Sequence, residues 1–496
     1  MTLPKYMGTG RSTGFVSTAP AAADSGWVTP VASGDTVHIY VADAGGGGSD
    51  SNNGLTDATP KLTVATAMAL LRDGYPDWLH VKRDSVFTDQ DLHVTRNGRG
   101  ITEPVVVTTY GAGARPLFNC SGALRRIGGG GTPSTRNYVH VEGMSFVHYK
   151  RNPDDAAFDA TATGGGSMLG TLKYWTIQDC SFRFYANNLI IQKTDGLYCS
   201  NVHINRCNFL DSWGRDGAGA GGQTFHSQGL YCEGVDALTI TECFFDHNGW
   251  NEHASLAGIA DRNQFDHNMY LQSDGTEVDI KACTNVILTG NISIRASSHG
   301  VQQRSAGTTQ RNFFYGNAIA FFSGSFPTEA SIVLNNVCEA SVDIDGSQLR
   351  GWGCELKKNS YGANYEGNIF VNRNSANAVG GMYYSPTATS SGSVTLTSNV
   401  GWNWADGAGD FLDIAAGVLS EFTRTGNITD GEDQNGNPVT MVDSDRDLDD
   451  YLTSIGEATG IATLYGYHRG RALHAWDADF SADSIVSYYQ AGHRLA

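Results

Sequence analysis

The sequence predicts an all-β fold in which short parallel strands stack coil upon coil into a solenoid, with short helical caps at its ends. Composition is the first reason. With 61 Gly, 12 Pro and no long run of helix-forming residues among 496, the chain reads as many short strands joined by tight turns. A repeat is the second. Short apolar runs close on an Asn at Gly290-Asn291-Ile292, Gly316-Asn317-Ala318, Asn335-Asn336-Val337, Gly367-Asn368-Ile369, Ser398-Asn399-Val400 and Gly426-Asn427-Ile428. Successive Asn stand 26, 19, 32, 31 and 28 residues apart, a ragged period within the range of solenoids. Third, the segments 228–233, 267–272 and 299–304 can be laid over one another, each with an aliphatic residue at its centre. Side chains alternate faces along a strand, so Leu230, Met269 and Val301 are expected inside and their neighbours outside.

Residues 1–36 are rich in Gly, Ser, Thr and Ala and are expected to form an arm or docking segment. The solenoid is assigned to residues 37–440, opening with the strand Val37-His38-Ile39-Tyr40-Val41. The loop at 46–54 resembles a calcium loop in its Asp, Asn and Gly, yet lacks the regular acids and closing Glu of an EF-hand. Thr63 to Arg72 carries helical spacing, with Thr63 as N-cap. Beyond it, strands and turns alternate to about residue 430. The repeated Asn are expected to stack at one corner, where their amides satisfy backbone groups that a bend leaves unpaired. Residues 441–496 hold an Asp-rich start, Asp443 to Tyr451, and an amphipathic run, Trp476 to Gly492. These are read as a helical cap over the open end, the acids suiting a helix N-terminus.

The formal charge of -18 argues against a nucleic-acid partner, whose phosphates demand a basic surface. Any polyanionic ligand must therefore meet a local basic pocket. No stretch of 18 apolar residues occurs, so no membrane insertion is expected. Met1 to Lys5 lacks the apolar core of a secretory signal, so export after loss of a signal, or release by another route such as lysis, is expected. The nine Cys form no CxxC and no Cys/His metal spacing. Cys180, Cys207 and Cys243 each stand two residues before a Phe, which predicts a reduced interior column rather than disulfides.

Stacked about 4.8 Å apart, the three segments present Tyr231, Glu233, Tyr270, Gln272, Gln302 and Arg304 as one outward polar patch, with His267 and His299 at the preceding corner. Imidazole and phenol are suitable acid–base groups near neutral pH. This singles out His267, His299, Tyr270 and Tyr231 for proton transfer and Arg304 for neutralising charge, with Gln302, Glu233 and Gln272 as binding groups. The step from Gln228 to His267 is 39 residues, against 32 from His267 to His299. The excess holds Asp246, His247 and Trp250, a loop with the composition of a sugar-binding wall in which Trp250 is the stacking platform. Trp352 to Lys357 fits the same register as the next coil, placing Glu355 beside Gln302 and Lys357 beside Arg304. Arg304 and Lys357 then form either a basic spot or an ion-pair ladder with Glu233 and Glu355. No HExxH-like spacing points to zinc.

The opening strand, polar loop and short helix, the Gly-Asn-Ile turns, and the segments Asp266 to Leu271 and Ser298 to Arg304 together resemble right-handed parallel β-helix proteins. This group includes polysaccharide lyases, some glycoside hydrolases and phage tailspike depolymerases. The resemblance spans roughly residues 37 to 430. It implies a right-handed parallel β-helix and an extracellular protein, secreted or virion-associated, monomeric or homotrimeric, acting on an acidic polysaccharide. The expected reaction is β-elimination on a uronate chain, with Arg304 and Gln302 as neutralisers, His267 or His299 as base and Tyr270 or Tyr231 as acid. The calcium-dependent lyases of the group differ from this sequence, which has no clear acidic cluster in its strands; no cofactor is expected, with calcium left open. Alternatives are a glycoside hydrolase using two of Glu233, Asp246, Asp266 and Glu355, a uronate C5-epimerase, and a non-catalytic adhesin or tail-fibre stalk.

Overall fold

A computed structural model of the protein describes residues 26–122, 127, 135–162, 164–169, 171–193, 198–215, 226–273, 281–357, 361–376, 381–385, 393–404, 412–413 and 422–496. Successive coils lay their strands into three long sheets, of 13, 13 and 9 strands among the described residues. Strand pairing is parallel throughout except where Ile428–Thr429 meets Glu432–Asp433. The chain is a right-handed parallel β-helix. Leu230, Met269 and Val301 pair in register and all are buried, as their central positions predict.

The interior is built in columns because equal positions of successive coils lie one strand spacing apart. Phe87, Phe118, Phe146, Phe182, Phe209 and Phe245 stack with ring centroids 5.3, 5.2, 5.1, 5.2 and 4.7 Å apart, close to the inter-strand distance of about 4.8 Å. Two residues before the last three rings stand Cys180, Cys207 and Cys243, buried and reduced like all nine cysteines. The Cys180 and Cys207 backbone N–H groups donate to the next sulfur at 3.4 Å. Cys243 N–H then donates to Asn291 Oδ1 at 2.9 Å, where the column changes from sulfur to amide.

From there Asn291, Asn312, Asn336, Asn368, Asn399 and Asn427 form a ladder, each passing its amide to the next side-chain oxygen at 2.9 to 3.0 Å. The sequence repeat has Asn317 in this column, and the structure corrects it to Asn312. Asn317 lies at a second corner, where its Oδ1 accepts from Ala296 N–H and its Nδ2 donates to Ser293 O. Asn317 closes the apolar run Phe313-Phe314-Tyr315, whereas Asn312 follows the polar Thr308-Thr309-Gln310-Arg311, so the apolar signal of the repeat points to the wrong Asn.

The helix α1 is Val64–Ala69, shorter than the run from Thr63 to Arg72; Thr63 accepts from the Thr66 N–H as its N-cap, and Val64, Ala67 and Met68 are buried. They pack into the interior at the first coil. Of the N-terminal arm, residues 1–25 lie outside the described residues. The next few dock on the flank, where Val28 exchanges two hydrogen bonds with the Gln178 side chain, both 3.0 Å. Among the described residues no helix is long and apolar enough to cross a membrane.

The C-terminal stretch departs from its expected place. Helices α2 (Leu448–Ser454), α3 (Ile461–Gly470) and α4 (Ala482–Gly492) do not close the end of the solenoid. They lie along the outer face of the second sheet, burying Leu210, Phe244, Ile292, Phe313, Val337 and Ile369 against Leu464, Ile485, Val486 and Tyr489. Charge fixes the strap. Arg469 reaches Asp211 at 2.7 Å and Asp246 at 2.5 Å, while Tyr489 donates to Glu339. Within the Asp-rich stretch, Asp447 caps α2 by accepting from Asp450 N–H.

Asn312→Ala tests the ladder. The variant strands the Leu288 carbonyl and the Asn291 N–H, which Asn312 now satisfies at 3.1 and 2.8 Å. Two buried unpaired backbone groups cost about 2–6 kcal/mol together, and denaturant unfolding should show a loss of that size.

Candidate active site

The outward face of the third sheet carries a cleft of about 940 Å³. Six consecutive strands contribute to it: Asn187–Gln192, Gln228–Glu233, His267–Leu271, His299–Gln303, Ile319–Gly324 and Trp352–Lys357. Five inter-strand steps make it about 24 Å long, parallel to the solenoid axis. Its described lining contains Arg304, Arg350 and Lys357 but a single carboxylate, Glu355. The local charge is therefore positive although the protein carries -18.

The strand His267–Leu271 is pinned from inside. Asn268 accepts from Asn248 Nδ2 at 2.9 Å and donates to Ile294 O at 2.9 Å. Asn268 and Met269 both face inward at this corner, a break in strict alternation that puts His267 and Tyr270 together on the cleft face. Glycine follows the first residue of three site strands, at 229, 300 and 353, for a steric reason. A Cβ on Gly229 would stand 2.6 Å from Asn268 O, and one on Gly300 2.5 Å from Ala320 O. Across the neighbouring strand pair, His267 and His299 lie with ring centroids 4.6 Å apart.

The two histidines are buried in the cleft floor rather than standing at an exposed corner. Their Nδ1 atoms are 3.0 Å apart, so one must donate to the other. The His299 backbone N–H also donates to His267 Nδ1 at 3.3 Å, which makes His267 Nδ1 the acceptor and His299 Nδ1 the protonated nitrogen. His267 Nε2 then carries its proton toward Gln302, with which it interacts. His299 Nε2 is left with a lone pair and no hydrogen-bond partner, 3.9 Å from Glu355 Oε2. Burial lowers the pKa of both rings, and for His267 the neighbouring His299 lowers it further. Both are neutral near pH 7.

The tyrosines divide. Tyr231 donates to Glu233 Oε2 at 2.7 Å, and burial followed by that bond raises its pKa, so it keeps its proton. Tyr270 donates to Gln272 Oε1 at 3.0 Å and accepts from Arg304 Nη1 at 2.7 Å. A phenolate at Tyr270 would be held by that guanidinium. Arg304 Nη1 also reaches Gln272 Oε1 at 3.0 Å, leaving Nε and Nη2 for a ligand.

The structure thus brings together His267, His299, Tyr270, Tyr231, Arg304, Gln302, Gln272 and Lys357 around one cleft, with Glu233 held behind Tyr231. Two expectations are corrected. The strand Ile319–Gly324 runs between His299–Gln303 and Trp352–Lys357, so Phe322 separates Gln302 from Glu355, and Gly324 occupies the rung between Arg304 and Lys357. Its apolar run Ile319-Ala320-Phe321-Phe322 lacks the polar outward pattern of its neighbours and gave no sign of a site strand. Second, Asp246 and His247 are not in the cleft wall. Asp246 is fully buried between Arg295 and Arg469, and His247 bonds Asp211 at 2.8 Å and Glu252 at 2.5 Å. Trp250 lies outside this cleft, beneath the Arg262 guanidinium at 4.1 Å. Sequence reasoning missed Gln228, Phe322, Arg350 and Trp352; the Arg-Gly-Trp run at 350–352 was a signal for the last two.

A parallel β-helix with a cationic, histidine-floored cleft along one sheet is the class that fold and site define. No family model and no curated protein matches the chain. Among solved structures it is similar to a GH136 lacto-N-biosidase from Eubacterium ramulus, at 13% identity and TM-score 0.36 over 79% of this chain and 67% of that one. It is also similar to pectate lyase Pel9A, at 16% identity and TM-score 0.36 over 76% and 82%. A third similar structure is the A-module of the Azotobacter vinelandii mannuronan C-5 epimerase AlgE4, at 10% identity and TM-score 0.38 over 68% and 91%. The site stands on its own geometry.

Stability should follow the buried histidines. The folded pKa values of His267 and His299 are lowered, and burial takes His80 down to about 4 and His468 to about 3. Below the unfolded value of about 6.5 the unfolded chain therefore binds more protons, so this stabilisation is complete above about 6.5 and is lost as pH falls. His247 and Glu339 oppose the trend: bonds to Asp211 and Glu252 raise the His247 pKa overall although burial lowers it, and burial raises the Glu339 carboxyl to about 8, so that the folded state takes up its proton as pH falls. The melting temperature should drop between about pH 6.5 and 5, above the ordinary carboxylate range; a flat profile there would contradict the neutral-histidine assignment.

Proposed function

We propose that the protein is a polysaccharide lyase acting on a uronate-containing chain. The observation that carries this reading is the charge of the cleft, three cations to one carboxylate among its described lining residues in an acidic protein. Such a groove attracts a polyanion locally and holds its carboxylates by charge-assisted hydrogen bonds. In the reaction, Arg304 Nε and Nη2 bind the uronate carboxylate, acidifying the proton on the adjacent C5. His299 Nε2 takes that proton. The C5–H electron pair forms the C4=C5 double bond, the C4–O4 bond breaks, and the Tyr270 hydroxyl protonates O4. Glu355 steadies the imidazolium, and the Arg304 contact steadies the Tyr270 phenolate until solvent returns its proton. His267 positions His299 through the Nδ1 contact. Such polymers lie outside cells, which suits a secreted or virion-associated protein.

A two-carboxylate hydrolase fits less well. Glu233 and Glu355 stand four strand steps apart, about 19 Å, whereas paired glycosidase carboxylates are roughly 5 to 9.5 Å apart. Asp246 and Asp266 are buried. A C5-epimerase would share the proton abstraction, then retain the C4–O4 bond and return a proton to C5 from the opposite ring face.

The test is incubation with a panel of acidic polysaccharides, following the ultraviolet absorbance of unsaturated uronate together with new reducing ends. Both should appear at once. Reducing ends alone would mean hydrolysis, and exchange of the C5 proton with solvent deuterium without either would mean epimerisation. On a cleaved polymer, Arg304→Ala should lower kcat about a hundredfold or more, and His299→Ala should abolish turnover. His267→Ala should retain partial activity. Because the base works in its neutral form and its pKa is lowered, the acid limb of kcat/KM should fall below about pH 6.5.

A further inference from the structure

A second basin opens beside the cleft. It has a volume of about 760 Å³ and is walled by two loops, at 250–264 and 344–350. Gln264 and Arg350 line both spaces. Arg350 Nη2 donates to Gln264 Oε1 at 3.3 Å, so this pair forms a sill that the two cavities share. The first loop is the excess of the 39-residue step between the strands that begin at Gln228 and His267, chain that the repeating coil does not need.

The basin's chemistry differs from that of the cleft. Its acids are Glu252, Asp261 and Asp345 and its cations Arg262 and Arg350. Glu252 stays ionised because its hydrogen bond to His247 outweighs desolvation and takes its pKa down to about 2. Amides and a hydroxyl, Asn251, Gln348 and Ser347, complete a lining suited to sugar hydroxyls. Arg262 lies over the Trp250 ring at 4.1 Å, and both residues line the basin. A carboxylate-bearing chain is favoured in the cleft and disfavoured among these acids. A neutral, hydroxyl-rich group has no such penalty.

We propose that the basin binds a neutral glycosyl side chain of a branched acidic polysaccharide whose uronate main chain lies in the cleft, the branch crossing the sill at Gln264 and Arg350. This rests on the lyase reading for its main chain, while the basin itself is an independent sugar site.

The test uses Ser347→Trp, which fills the basin from an exposed position. Saturation-transfer NMR with methyl glucoside, galactoside and mannoside should show at least one bound to the parent protein and lost in the variant. Silence for all three, or binding unchanged in the variant, overturns the basin as a sugar site whether or not any polymer is cleaved. On a polymer that the parent protein cleaves, removal of its neutral branches by mild acid should raise KM by about tenfold or more. Ser347→Trp should bring the KM for the branched polymer up to that of the debranched one. Equal KM for both forms in the parent protein, or a linear polymer as the best substrate, overturns the branch assignment and leaves the lyase reading intact.

Discussion

The fold depends on how one corner of each coil satisfies its backbone. A chain that turns inward at every coil leaves N–H and C=O groups facing an apolar interior, where each unpaired group costs about 1–3 kcal/mol. Here a column of side chains removes the problem. Each Asn oxygen takes the backbone N–H of the preceding coil, as Asn312 does for Asn291 and Asn336 for Asn312, and each amide returns to a carbonyl of the preceding coil and on to the next Asn. In the earlier coils Cys sulfur takes that place. The column fixes the rise per coil and therefore the register of every sheet, including the one that bears the cleft.

The site inherits this geometry. A second set of amides, Asn188, Asn248 and Asn268, links the corner from which the site strands begin, and glycine at 229 and 300 lets the coils meet there. The two histidines are packed so closely that the His299 backbone N–H fixes which ring accepts, and that arrangement leaves a basic lone pair at the buried His299 Nε2. Further along the same sheet, Arg304 holds Tyr270. The opposite flank is closed by the C-terminal strap, whose Arg469 neutralises Asp211 and Asp246, so those acids serve stability and are withdrawn from chemistry.

Most of the architecture was legible because stacking converts sequence repeats into columns. Leu230, Met269 and Val301 declared a register, and the Cys-x-Phe triplets declared a reduced interior column at their cysteines. What was hidden depends on contacts far apart in the chain. Asn312 follows the polar run Thr308 to Arg311 while Asn317 closes an apolar one, and only the fold shows that Asn312 joins the ladder. Ile319 to Gly324 belongs to the site sheet but carries Phe322 outward, so it does not resemble its polar neighbours. The strap was written in the second sheet, where Phe244-Phe245, Ile292-Ser293-Ile294 and Ile369-Phe370-Val371 are buried on both faces, a pattern that requires a cover. The proton arrangement of the histidine pair rests on a backbone bond that no sequence pattern reports.

The central claim is that the cleft breaks a C–O bond by elimination, and the most direct measurement is the mass of the products formed in oxygen-18 water. Elimination predicts an unsaturated end lighter by one water than the hydrolytic product, with no solvent oxygen incorporated by the cleavage itself. Saturated products that carry one oxygen-18 atom at each new reducing end would contradict it.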